Sequence, residues 1–148
     1  MPNPIVRLFR PLRLGTVVLI TALLAQWPIS AADADEHADL HAALALASAQ
    51  YQVARKTLET RGREETAAEV SRLREAFHAV MEHFNANRSA LGLDPDYAAT
   101  LMQLDVSIVG VLLVIDFGSR EAARNALAPI GQSLAELGAR AALRERLK

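Results

Sequence analysis

The chain contains no cysteine. That absence removes disulfides, thiolate metal sites, an attachment cysteine for a lipid anchor and the C-x-x-C-H attachment of a c-type haem. Stability must therefore come from packing. A basic surplus is missing too. The formal net charge is -1, and three of the cations, Arg7, Arg10 and Arg13, stand in the first thirteen residues. From Asp33 onward there are 13 basic and 17 acidic residues, a net of -4, with arginine strongly preferred over lysine. A domain of that sign with no basic patch is a poor partner for nucleic acid. There is no glycine-rich phosphate loop, no Ser-His-Asp arrangement in a recognisable context and no pair of carboxylates on a core stripe. Asp105 and Asp116 are expected to be solvated or ion-paired, and the chain is not expected to be an enzyme.

At 148 residues the chain has room for one ordinary domain. Its beginning has three parts. Residues 1–13 are short and positive, residues 14–25 read L-G-T-V-V-L-I-T-A-L-L-A, and small residues follow at Ser30, Ala31, Ala32 and Ala34. This order predicts a signal peptide over residues 1–32, cleaved on export, and a folded domain over 33–148. The apolar run is interrupted by Gln26, Trp27 and Pro28 and falls short of the roughly 20 residues that a spanning helix needs. Membrane attachment is expected only if the signal stays uncleaved. With an arginine- and alanine-rich composition, the expected location is a bacterial periplasm.

Beyond Asp33 apolar residues recur at alternating spacings of three and four, the period of packed helices. The first series is Leu40, Leu44, Ala47, Tyr51, Ala54 and Leu58; the second is Val70, Leu73, Phe77, Val80 and Phe84. The third is Tyr97, Leu101, Leu104, Ile108, Val111 and Ile115; the fourth is Ala123, Leu127, Ile130, Leu134, Leu137 and Ala141. Punctuation falls between them. Gly62 is expected to take the left-handed position that ends the first helix, Asp94-Pro95 to start the third, and Gly118-Ser119 to end the third and cap the fourth. Helices are predicted over about 34–60, 64–86, 95–117 and 120–146, with residues 85–93 as the longest link. Short links make neighbours antiparallel, so the expected fold is an all-α, up-down-up-down four-helix bundle.

Two stretches strain that pattern. V-S-I-V-G-V-L-L-V-I, residues 106–115, is apolar on every face and β-branched enough for a strand, yet it continues the heptad series and is predicted helical. Being apolar all round, it is either the most buried helix or carries a second sticky face suited to a dimer or an envelope partner. Pro129, inside the fourth series, is expected to remove a hydrogen bond and bend the helix.

The four histidines stand in D-E-H-A-D-L-H, residues 35–41, and F-H-A-V-M-E-H-F, residues 77–84. A chain that turns back near Gly62 sets His41 level with His83 and brings all four imidazoles to one end, beside Asp33, Asp35, Glu36, Asp39, Glu82, Asp94 and Asp96. His37-x-x-x-His41 puts two rings on one helix face, a spacing that suits a divalent transition metal. With Leu40 at heptad position d, His37 falls at a and His41 at e; in the second helix Met81 is at e, His83 at g and His78 at b. If e meets e, then His37, His41 and Met81 converge with His83 at the rim. Imidazole with thioether favours copper, and imidazole with carboxylate suits nickel, cobalt or zinc. Cleavage after Ala34 would also expose Asp35-Glu36-His37 as an amino-terminal nitrogen set for Cu(II) or Ni(II). The competing reading is a solvated helix end carrying ordinary surface histidines, with acidic residues favoured by the helix dipole.

Four heptad helices behind an apparent signal peptide resemble the small periplasmic bundles of the cytochrome c-prime and cytochrome b562 type. A-L-A-P-I-G-Q-S-L-A-E-L-G-A-R-A-A-L-R, residues 126–144, looks like the last helix of the c-prime family without its haem motif. The attaching cysteines, the proximal histidine and a histidine in the fourth helix have no counterpart, so haem is not expected. E-H-A-D-L-H resembles the opening of periplasmic nickel and cobalt sensors. Two functions follow as expectations. One is a periplasmic binding protein for a transition metal, through His37, His41, Met81 and His83. The other is a metal-free structural or adaptor module that binds an envelope protein, or a second copy of itself, through the third helix.

Overall fold

The computed structural model describes residues 29–146. The expected signal peptide lies, but for its last few residues, outside them. Residues 31–148 group as one unit, and it is described by itself. Four helices build it: α1 (Ile29–Thr60), α2 (Arg63–Leu91), α3 (Pro95–Phe117) and α4 (Arg120–Arg146). There is no strand among the described residues, and 106–115 is helical as predicted.

Every residue of the four apolar series is buried, so the spacing of three and four selects the core. The core also takes in three residues outside those series, His37, Thr66 and Leu91. Leu91 corrects the expected end of α2 near residue 86. The heptad runs on from Phe84 at a, through Asn87 at d, to Leu91 at a, and burying one more leucine draws the helix across a stretch that composition marks as a loop. The helix deforms at the polar d position: Asn87 has φ -117° and ψ 18°.

Gly62 is a second correction. It is extended, with φ -80° and ψ 178°, and starts α2 rather than ending α1; Glu65 Oε2 accepts from its N–H at 3.0 Å. The left-handed glycine is Gly92, φ 59°, which closes α2. A left-handed glycine normally lets the chain satisfy the last carbonyls of a helix. At the end of α1 that task falls to α4, where Arg120 Nη2 donates to Arg61 O at 2.8 Å and Nη1 to Glu59 O at 3.3 Å. Arg63, first residue of α2, does the same for α3, donating to Asp116 O at 2.7 Å and Gly118 O at 3.1 Å.

The expected starts of α3 and α4 stand. Asp94 Oδ1 accepts from Tyr97 N–H at 2.8 Å with Pro95 in the first turn, and Ser119 Oγ accepts from Ala122 N–H at 3.1 Å. The α4 helix runs through Pro129 as one element, with the proline ring exposed, so the carbonyl it leaves without a donor faces water.

Candidate functional site

Which flank of each helix meets which neighbour decides where the histidines go. Between α1 and α2, Gln50 Nε2 donates to Glu69 Oε2 at 2.7 Å, and His83 Nε2–H donates to Glu36 O at 2.8 Å. All four residues are g positions. Between α2 and α3 the polar contacts are at e or beside it: Asp105 Oδ1 lies 3.1 Å from His78 Nε2 and 3.4 Å from Arg74 Nε. Between α3 and α4, Arg140 at g reaches Thr100 Oγ1 at g, 3.2 Å away. The seams therefore alternate g–g, e–e, g–g. The expected e-against-e meeting of α1 with α2 does not occur.

The consequence for the sequence-predicted donors is a dispersal by seam. His37, at a, is buried on the core stripe at 1 % exposure. His41, at e, is half-buried on the flank of α1 away from α2. His83, at g, faces α1 and spends its Nε2 proton on a backbone carbonyl, with the Asn87 amide 3.5 Å from its Nδ1. Met81, at e, packs toward α3, lining a groove with Phe84, Arg88, Ala98, Leu101 and Met102. His78 is exposed and paired with Asp105. The rings lie on different seams and at different heights, with His78 and its partner Asp105 level with the middle of α2 and α3, and Met81 lines the groove on the α2–α3 side. No group of three or more histidine, aspartate or glutamate side chains able to hold a metal ion occurs among the described residues. An amino-terminal nitrogen set at Asp35-Glu36-His37 would require α1 to unwind and His37 to leave the core.

The polar anchor near the α2–α3 turn is Arg140 over Tyr97; the apolar series contains Tyr97 but does not assign Arg140. Tyr97 is fully buried, its ring 5.5 Å from Phe84 and under the Arg140 guanidinium at 5.4 Å, with its hydroxyl 3.4 Å from Leu137 O. Burial pushes its phenol up to about 12, against the opposing pull of Arg140. Arg140 also holds Asp94 Oδ1 at 2.7 Å, and Arg144 Nε donates to Gly92 O at 2.9 Å, so α4 braces the α2–α3 turn. The signal was available: an arginine one position before Ala141 at a is placed at g, where it meets the neighbouring helix.

The other feature of note is the outer face of α3. Its inner face, from Tyr97 to Ile115, belongs to the core. Its outer face exposes Met102, Val106, Leu113 and Phe117, the last at 86 %, with Val109 half-buried between them. These recur every three or four residues and form one stripe. Gly110 sits in its middle, and a Cβ added there would meet nothing within 4 Å. The helix contains no lysine or arginine. It is also long and apolar enough to cross a membrane, although its core face is committed to the fold.

No protein-family model, no curated protein and no solved structure matches the chain.

Proposed function

We propose that the chain is an exported helical-bundle interaction module which engages another protein through the outer face of α3. In this reading the four helices run up-down-up-down, as the pairings of Glu36 with His83, Gln50 with Glu69, Arg63 with Asp116 and Gly92 with Arg144 suggest, and the module works in the periplasm. The observation that carries it is the uncharged stripe from Met102 to Phe117. Large apolar side chains left in water along one helix face are the usual mark of a protein contact. A photo-crosslinking residue at Val106, compared with one at the exposed Glu75 on α2, tests it in the intact envelope. A protein adduct at Val106 and none at Glu75 is expected; equal or absent adducts at both reject it.

A second reading has its own observation. Glu36 Oε2 is a buried carboxylate oxygen with no hydrogen-bond partner among the described residues. It belongs to the residue that precedes the buried His37 in sequence, and His37 and His41 stand one turn apart on α1. Imidazole with carboxylate suits nickel, cobalt or zinc. Titration calorimetry with Ni(II), Co(II), Zn(II) and Cu(II) tests this: uptake that the His37→Ala/His41→Ala variant loses is expected, and no uptake at micromolar metal rejects it.

A further inference from the structure

The outer stripe of α3 has an internal symmetry that bears on its partner. Met102 and Phe117 are equidistant from the midpoint between Val109 and Gly110, and so are Val106 and Leu113. Turned end for end, the stripe falls on itself, apolar residue against apolar residue. A surface with that property is what a two-fold contact between identical chains requires.

Gly110 is the second observation. A glycine inside a helix is about 1 kcal/mol less favourable than alanine. Nothing in the chain approaches it closely enough to need the missing side chain. A glycine at the midpoint of an outer face lets a second helix backbone come close.

Charge complementarity is the third. The end of the stripe at Met102 borders a groove that Arg88 also lines, and the end at Phe117 carries the exposed Asp116 on the same flank. An antiparallel two-fold brings the Arg88 end of one copy to the Asp116 end of the other, twice. A parallel arrangement would set Asp116 against Asp116 instead.

We propose that a second copy of the chain covers this face: α3 packs antiparallel against the α3 of its partner, about a two-fold axis passing between Val109 and Gly110. This rests on the reading of α3 as an interaction face and names its occupant. The stripe is about 22 Å long, which places the contact at the small end of protein interfaces and its dissociation constant on the order of micromolar.

The test uses the protein as the cell leaves it, processed or whole. Sedimentation equilibrium is expected to show a monomer–dimer equilibrium. Leu113→Glu, which buries two like charges per dimer, should raise the dissociation constant by about 100-fold or more. Gly110→Leu should dissociate the dimer without lowering the helical content or melting temperature of the protomer, because leucine is the better helix former. Since the chain has no cysteine, Met102→Cys and Phe117→Cys chains mixed together should form a mixed disulfide, while neither should do so with itself. Four results would overturn the dimer: a wild-type monomer at all concentrations up to about ten times the expected dissociation constant, self-linking of Met102→Cys, a Val106 adduct whose mass is not twice that of the chain, or a monomer that floats with phosphatidylglycerol vesicles. A Val106 adduct to a different protein leaves the interaction-module reading standing. No Val106 adduct removes both.

Discussion

At the scale of single residues, two glycines of α4 separate propensity from packing. Both sit where alanine would favour a helix by about 1 kcal/mol. At Gly131 an added Cβ would lie 2.5 Å from the Tyr51 ring, which is itself buried; at Gly138 it would meet nothing within 4 Å. Gly131→Ala is therefore expected to destabilise by about 1–3 kcal/mol as the ring is displaced. Gly138→Ala should stabilise by about 0.4–1 kcal/mol. Paired urea melts check both, and equal signs would show that the α1–α4 contact at Tyr51 is not tight. Tyr97 supplies a test in pH. Its phenol is raised from 10.0 to about 12 by burial, so its neutral form is the one the fold favours. The associated stability is fully present below pH 10, where folded and unfolded chains both hold the proton. Between pH 10 and 12 the unfolded chain has lost that proton and the folded chain keeps it, so stability falls as pH rises. The loss is on the order of 2 to 3 kcal/mol. Tyr97→Phe should remove that part of the alkaline decline, and near neutral pH it should change stability by no more than about 1.5 kcal/mol, since the hydroxyl's one hydrogen bond is long. Denaturant midpoints of both proteins from pH 8 to 12 decide it.

At the scale of the element, capping and bracing meet at Asp94. Its carboxylate accepts from the first turn of α3 and from Arg140 on α4. Asp94→Ala should cost about 1–2 kcal/mol, and Asp94→Asn, which keeps the cap and loses the charge, distinctly less. Thermal melts of the two variants separate cap from ion pair. The elements themselves were largely legible. Each apolar series in the sequence is a buried stripe in the structure, and the ends of α3 and the start of α4 follow from Asp94, Pro95, Gly118 and Ser119. The boundaries that were not legible depend on contacts far away in sequence. Gly62 is free to be extended because Arg120, some sixty residues on, takes the carbonyls at the end of α1. The α2 helix reaches Leu91 because the core accepts one more leucine. The histidines' level was legible only to about five residues, since the pairings of Glu36 with His83 and Gln50 with Glu69 set His41 level with His78 rather than with His83, and their seam was not legible. Heptad letters say which flank a residue occupies, but whether that flank faces the preceding or the following helix depends on how the helices are arranged around the core. Met81 and His83, two residues apart, point to different neighbours for that reason. The outer stripe of α3 was visible as a run with too many apolar faces, while its symmetry about the midpoint between Val109 and Gly110 became meaningful only when the inner face was seen to be filled.

At the scale of the whole molecule, the two short turns are tied to each other's helices. Arg63 opens α2 and holds the end of α3; Arg120 opens α4 and holds the end of α1. Arg63→Ala and Arg120→Ala should each cost about 0.5–1.5 kcal/mol, and the double variant should cost about their sum, because the two guanidiniums use different carbonyls. A double-mutant cycle by chemical denaturation measures that; a large coupling term would mean that the two grips form one network. Such reciprocal lacing makes the α1–α2 half and the α3–α4 half mutually dependent at the end remote from the histidines. A polypeptide severed between Leu91 and Asp94 would then stay associated, its two fragments clasped like interlocked hands, and the core amide protons of both fragments would exchange with solvent at a common rate.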